Sequence, residues 1–360
     1  MRLTALSGLN LRCVAEVELE DLDNTVILSG RNGAGKTSVL EGIHLLGMGR
    51  SFRTRSTREV LRRGEDVLRV VGRLQSDAAD VDATVVGLER RGTDHRIRVN
   101  GKDVQRMSDL ARLLPLMVIR PESHELISGG SEERRRILDW AVFHVKHDYA
   151  DAHARYRRAL AQRNRALRDA ASSREIAAWS QDLARAASAV EQDRRAFISA
   201  AKVRLESTIH TLVGLAIGVQ YRPGWDPETD FVSQLDARVA IDRQRGFTSV
   251  GPHRADLVFQ ETGRRARAVL SRGESKLLVL GALLSFVVEI QASTGVRPVI
   301  LVDDLASELD AFSRERFFSA LRELNSQAFI TTVDAELIPS YVQQDATMFH
   351  VEQGQVRRVV

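Results

Sequence analysis

At 360 residues, 43% hydrophobic and 28% charged, the chain is longer than one ordinary core needs and predicts two lobes of a globular protein. Lysine and arginine number 52 against 48 acids, and a net charge of +4 does not by itself predict a nucleic-acid ligand. The best apolar run, Leu280 to Ile290, is short of the ~20 residues a membrane span needs and contains Glu289; Met1 to Arg12 lacks an apolar signal core; and the lone Cys13 excludes a disulfide framework or a cysteine metal cluster. A cytoplasmic protein is expected.

The N-terminal residues alternate as strands do. Val14, Val17 and Leu19 lead into Thr25-Val26-Ile27-Leu28-Ser29. Gly30 to Thr37 is a glycine-rich loop, and Val39, Leu40, Ile43 and Leu46 continue it as a helix. Segments 67–75, 81–90 and 95–99 read as strands, with Asn100-Gly101 as a hairpin turn, and Leu114 to Ile119 as a buried strand.

From Glu132 the texture turns to Arg, Ala and Leu. Residues 132–170 predict one helix, with Val145, Tyr149, Ala152, Tyr156 and Leu160 at helical spacing. After Ala171-Ser172-Ser173, a second helix runs from Arg174 to Leu212 through Ile176, Trp179, Leu183, Ala186, Val190 and Phe197. Each would be roughly 55 Å long. The pair reads either as an antiparallel hairpin standing off an α/β head or as a compact helical subdomain. Arg163 and Asp193 near apolar positions argue against a long coiled coil. Tyr221 to Pro227 predicts a loop, Asp256 to Gln260 and Ala266 to Leu270 two strands about Thr262-Gly263, Gly273 to Ile290 a helix, Pro298 to Val302 an apolar strand, Arg314 to Leu324 a helix and Ala328 to Thr332 a strand.

The chemistry concentrates in two places. Gly30, Arg31, Asn32, Gly33, Ala34, Gly35, Lys36 and Thr37 fit a nucleotide-binding P-loop: backbone N–H groups wrap a phosphate, Lys36 reaches the β/γ oxygens and the Thr37 hydroxyl binds magnesium. A chance match in this length is on the order of one in a hundred. The apolar strand Val299 to Val302 ends in Asp303-Asp304. A carboxylate there serves as magnesium partner, which assigns Asp303; Asp304 can orient or deprotonate the attacking water. The expected cofactors are therefore ATP and Mg.

The long separation of the P-loop from Asp303, with a helical insert between, resembles the ABC-type head ATPases of the structural-maintenance-of-chromosomes group. Leu270-Ser271-Arg272-Gly273-Glu274 resembles their signature loop, and Ser307-Glu308-Leu309-Asp310 their dimer-contact loop. Gly49 to Thr54, Pro121-Glu122 through Leu138-Asp139, Gly251 to Arg254 and Asp303-Asp304 resemble the RecF family of recombination mediators.

The resemblance implies an α/β fold: an ABC-type P-loop ATPase head with mixed sheets and an inserted helical hairpin domain. Its parts would be residues 1–120 (P-loop half), 121–240 (helical arm) and 241–360 (signature half). It also implies an ATP-dependent homodimer in which Ser271 and Gly273 of one subunit meet the γ-phosphate held by the other, a weak DNA-stimulated ATPase, and a role in gap repair, replication restart and SOS induction. RecR, RecO and RecA are the partners it implies. The sequence departs from the pattern at Ser131, where relatives have proline, at Glu274, where they often have glutamine, and at Asp334, where transporter ATPases place a switch histidine. Glu274 is expected to face away from phosphate or to pair with an arginine, and slow turnover is expected overall.

DNA contacts are the least determined. Arg50, Arg53, Arg55, Arg58, Arg62 and Arg63 form a basic run, readable as a DNA surface, a solvated face or, for Arg50 and Arg53, nucleotide contacts. Arg155, Arg157, Arg158, Arg163, Arg165 and Arg168 stud the first arm helix and could track a phosphate backbone. No aromatic stacking row accompanies them, which favours backbone-directed binding. Three rivals stay open: an ABC transporter's nucleotide subunit, an ATP-gated scaffold that does not hydrolyse, and, for the histidines and Cys13, plain packing.

Overall fold

The computed structural model describes residues 1–54, 56–76, 82–92, 94–104 and 106–359, apart from the side chain of Thr57. Arg55, a candidate DNA contact, and residue 81, the expected start of a strand, lie outside the described residues. In chain order the elements are β1 (Arg2–Leu11), β2 (Val14–Leu19), β3 (Thr25–Ser29), α1 (Lys36–Met48), β4 (Val67–Gln75), β5 (Thr84–Arg91), β6 (Asp94–Val99), β7 (Lys102–Asp103), α2 (Met107–Leu113) and β8 (Leu116–Ile119). Next come α3 (Glu125–Ser128), α4 (Ser131–Val145), α5 (Tyr149–Arg168), α6 (Ser173–Val213), β9 (Ile217–Arg222), α7 (Phe231–Ala237), α8 (Val239–Arg245), β10 (Asp256–Glu261) and β11 (Arg264–Arg265). The chain ends with α9 (Arg272–Thr294), β12 (Val299–Val302), α10 (Ala311–Glu323), β13 (Ala328–Thr332), α11 (Ser340–Gln343), β14 (Ala346–Glu352) and β15 (Gln355–Val359).

Two compact units result. The first comprises Met1–Ser123 and Ile290–Val360, the second His124–Glu289. The first unit holds two six-stranded sheets. One, ordered β2-β1-β4-β5-β6-β7, is antiparallel, and β4 alternates buried and exposed residues as a sheet with one wet face does. The other, β15-β14-β3-β13-β12-β8, is parallel except for the β14–β15 hairpin. Its inner strands, such as Val299–Val302, are buried throughout, hence their unbroken apolar sequence.

Helix α1 joins the two sheets. Val39, Leu40, Ile43 and Leu46 pack in one core with Leu3, Leu6, Leu68 and Val70 of the antiparallel sheet and with Val26, Leu28, Leu301 and Phe329 of the parallel one. Nearly every residue from Lys36 to Gly47 is buried, so α1 is covered on all faces rather than along one stripe.

In the second unit, α6 runs for 41 residues, about 60 Å, capped by the Ser172 hydroxyl and by Gly214 in a left-handed conformation. It packs along α5, and β9, β10 and β11 form a small sheet beside it. Ile176, Leu183, Val190 and Phe197 are buried as their spacing predicts.

Four local expectations change. The run 132–170 is two helices, broken at Lys146-His147-Asp148. Tyr221 and Arg222 belong to β9 rather than to a loop, and Ala266–Ala268 is a 3-10 turn rather than strand. The apolar stretch around Leu280 extends to the 23 residues of α9, long and apolar enough to cross a membrane by length and composition; most of it is buried, and its Glu289 carboxylate accepts from Arg204 Nε at 2.6 Å.

Candidate active site

The P-loop leaves β3 at Gly30 and enters α1 at Lys36. Gly30 has φ +153°, and a Cβ there would lie 2.1 Å from the Val351 carbonyl oxygen, so no larger residue fits. Gly35, at φ +118°, would place a Cβ 2.8 Å from Val14 Cγ2. The loop is thus wedged between the β1–β2 turn and β14. Gly354 N–H donates to Ala34 O at 2.9 Å and closes that side.

Lys36 Nζ lies inside the loop, donating to Gly30 O at 2.6 Å and Arg31 O at 3.1 Å. Burial pulls its pKa below the ordinary value, and the Asp304 and Asp303 carboxylates pull the other way. The Thr37 hydroxyl donates to Asp303 Oδ1 at 2.8 Å, across 266 residues of sequence. One strand intervenes between the two motifs: β13 lies between β3 and β12 and contributes Thr331. Its buried hydroxyl donates to Asp303 Oδ1 at 2.8 Å and accepts from Asp304 N–H at 2.9 Å.

Asp304 sits in a left-handed conformation, φ +46°, uncommon for a residue with a side chain. Burial raises its carboxyl pKa, the charge of Asp303 adds to the rise, and Lys36 opposes it. Ser307 donates from its hydroxyl to Asp304 O at 3.0 Å, which links the Ser307–Asp310 segment to the Asp304 backbone. Asp310 caps α10 through Ser313 N–H, and Phe312 just beyond it is 69% exposed.

Ser271 and Gly273 belong to the second unit, where they open α9. Glu274 has no arginine partner among the described residues. Its carboxylate accepts from Ser271 N–H at 2.8 Å while Glu274 N–H donates to Ser271 Oγ at 3.3 Å, a reciprocal cap that holds its pKa below the usual carboxylate range. Glutamine could make the same cap. Asp334 accepts from Glu336 N–H and caps a 3-10 turn.

Of the arginines proposed for DNA, Arg58, Arg63, Arg157 and Arg158 are exposed and Arg62 is half-buried. Arg163 is not on the surface: it is fully buried and paired with Asp242. Cys13 is exposed rather than a core residue, and His253 is half-buried between Tyr156 OH and Thr248 O, a packing role. No cluster of metal-ligating His, Cys, Asp or Glu occurs among the described residues. Thr331, Glu41 and Phe312 carry contacts or exposure that the sequence reading passed over. A threonine on an apolar strand reads as β-propensity, whereas a glutamate between Leu40 and Ile43 of a helix was a usable signal.

A P-loop and an acidic strand end, joined by the Thr37 hydroxyl, over a two-sheet unit with a long helical insert, define an ABC-type ATPase head. The model of the RecF/RecN/SMC N terminal domain matches residues 3–357. DNA replication and repair protein RecF of Thioalkalivibrio sulfidiphilus (strain HL-EbGR7) is 40% identical over 360 residues, covering 99% of each chain; that of Chromohalobacter salexigens is 37% identical, again over 99% of each. The chain belongs to the RecF family of DNA replication and repair proteins. Among solved structures, the recombination mediator protein RecF-ATPrS in the RecFOR pathway matches with TM-score 0.88 at 23% identity, over 100% of this chain and 98% of that one. A Smc head bound to the C-winged helix domain of ScpA matches with TM-score 0.59 at 15% identity, over 100% and 97%. At these identities the two structures speak for the fold alone.

Proposed function

We propose that the protein is a cytoplasmic ATPase that binds gapped or single-stranded DNA, dimerises in ATP and is released by slow hydrolysis. The 2.8 Å hydrogen bond from Thr37 Oγ1 to Asp303 Oδ1 carries this reading, because it brings the P-loop hydroxyl and the distant carboxylate into one cluster. The family's RecF-ATPrS and RecF-ATP structures support ATP as the ligand, and their RecFOR setting supports RecO and RecR as partners, with RecA loading and SOS support as the outcome.

The donor set fits magnesium: a hydroxyl and a carboxylate oxygen in mutual contact are hard oxygen ligands. Thr37 and Asp303 would hold the ion, which supplies charge neutralisation at the triphosphate. The backbone N–H groups of Gly33 to Thr37 wrap phosphate, and Lys36 moves from the loop carbonyls to the β/γ oxygens. Asp304, its pKa raised, accepts a proton from the attacking water. Asp304 is short and Asp334 is committed to a cap, so turnover stays below ~10 s⁻¹, the enzyme median. Ser271 and Gly273 of a second copy meet the γ-phosphate, and Phe312 with Ser307–Asp310 lies at the contact between copies. Arg58, Arg62, Arg63, Arg157 and Arg158 take the DNA backbone, together with Arg55.

ATP turnover measured with and without gapped duplex at low and moderate salt tests this. The expected result is stimulation by DNA that fades as salt rises. Turnover indifferent to DNA at both salts would remove DNA as the activating ligand, and absence of turnover would remove the ATPase.

Thr331→Val tests the hold on Asp303 from the neighbouring strand. Losing a hydroxyl that orients a metal-binding carboxylate is expected to raise the magnesium needed for half-maximal turnover about 10- to 100-fold, with Thr331→Ser close to wild type. An unchanged magnesium titration would show that Thr37 alone orients Asp303.

A further inference from the structure

Glu41 lies in α1, five residues beyond Lys36 and so about 7.5 Å along the helix from it. Its carboxylate is fully buried, where an unpaired charge would be severely destabilising. Arg12 of the β1–β2 turn donates to it with Nε and, at 2.8 Å, with Nη2, and the Ser51 hydroxyl donates to it as well. Ser51 Oγ in turn accepts from Arg53 N–H at 2.9 Å and Thr54 N–H at 3.1 Å. One turn further on, His44 Nδ1 meets Arg50 O at 2.7 Å, and its ring packs edge-on against Phe52. Burial lowers the His44 pKa to about 4, so the ring is neutral and Nδ1 carries the proton it donates.

These contacts reverse the chain. After α1 ends, residues 49–54 fold back along it towards its N-terminus instead of running on. Arg12 N–H to Val60 O at 2.8 Å and Arg12 Nη1 to Glu59 O at 3.2 Å hold the continuation in the same direction. The returning segment carries Arg50 and Arg53, both exposed, and neither guanidinium is paired with a carboxylate among the described residues. Two cations are thus held along the helix whose first turn is the phosphate cradle.

We infer that Glu41 is a positioning residue for nucleoside triphosphate: through Ser51 it fixes the returning segment so that Arg50 and Arg53 meet the anion held by the P-loop. The inference rests on the nucleotide reading of that loop. Glu41 touches no ligand itself; its buried charge serves as the anchor, and Arg12 neutralises it.

Equilibrium binding of a fluorescent ATP analogue to the full chain tests it. Ser51→Ala removes the tether and nothing else from the side chain, Glu41→Gln removes the charge, and Arg50→Ala/Arg53→Ala removes the cations. Ser51→Ala is expected to weaken binding about tenfold, the worth of one hydrogen bond to a charged group, with Ser51→Thr restoring it. Combined with the arginine pair, Ser51→Ala should add no further loss, because tether and cations act as one unit. Losses that add, or binding of the analogue unchanged in both Ser51→Ala and Glu41→Gln, would overturn the inference; so would a loss of DNA affinity alone. Lys36→Met separates the two readings. If it retains the analogue, the nucleotide site itself is misplaced; if it loses the analogue while Ser51→Ala does not, only the tether fails. Should Glu41→Gln not fold, Ser51→Ala and its threonine rescue still decide.

Discussion

Asp304→Asn is expected to lower ATP turnover by about 10²- to 10⁴-fold while nucleotide binding persists. The amide keeps the size of the carboxylate and cannot accept the proton from water. The backbone N–H to Thr331 Oγ1 and the Ser307 hydroxyl to Asp304 O contacts do not involve the carboxylate, so the turn survives the change. Removing one of two adjacent negative charges also relieves the repulsion that Asp303 exerts on Asp304. ATP should therefore bind at least as tightly, and the dimer should accumulate. Single-turnover hydrolysis beside size-exclusion chromatography in ATP would check both halves. Retained turnover would take Asp304 out of the proton path.

Arg163→Met is expected to cost about 3–5 kcal/mol of stability in the second unit, read as a fall in its urea midpoint. Arg163 and Asp242 are both fully buried, with Nη1 to Oδ2 at 2.9 Å. The guanidinium also donates to Thr248 Oγ1, Ser180 Oγ and Leu235 O, so one side chain ties α5 to α6, α7 and the loop after α8. Methionine fills much of the volume and leaves Asp242 charged without its partner. Arg163→Met with Asp242→Leu should recover most of the loss, since a matched apolar pair lacks the stranded charge. A change below about 1 kcal/mol in the single variant would mean that water or a shifted side chain reaches Asp242.

These two sites differ in how far the sequence exposes them. The P-loop and Asp303-Asp304 are legible because each is a local pattern: glycines at fixed offsets, then an apolar strand ending in acids. Their meeting follows from parallel strands whose C-terminal ends share one edge. What fills the gap between them is not legible, because Thr331 differs from any strand threonine only through β13's place in the sheet. Arg163 shows the same limit from the other side. Its position among apolar residues is visible as a flaw in the helical seam, yet its partner is 79 residues away on a short helix. The break at Lys146-His147-Asp148 was hidden because apolar residues on both sides keep helical spacing. The reciprocal cap of Ser271 and Glu274 could have been read directly, since serine followed three residues later by glutamate before an apolar run is a local signature.

The placement of β3 has a consequence for synthesis. That strand carries the P-loop, yet both its neighbours, β13 and β14, come from the last tenth of the chain, and Val351 and Gly354 prop the loop itself. A ribosome making this protein exposes the phosphate cradle's residues about 300 residues before the parts that shape them, since β13 begins at Ala328 and the P-loop at Gly30. Residues 124–289, by contrast, form one uninterrupted unit that can fold as it emerges. Loop-closure entropy for joining β3 to β14 is met only once β14 has been made. The nascent chain therefore lacks the props of the P-loop until β14 and Gly354 are made, and a fragment cut before β14 is expected to bind ATP poorly.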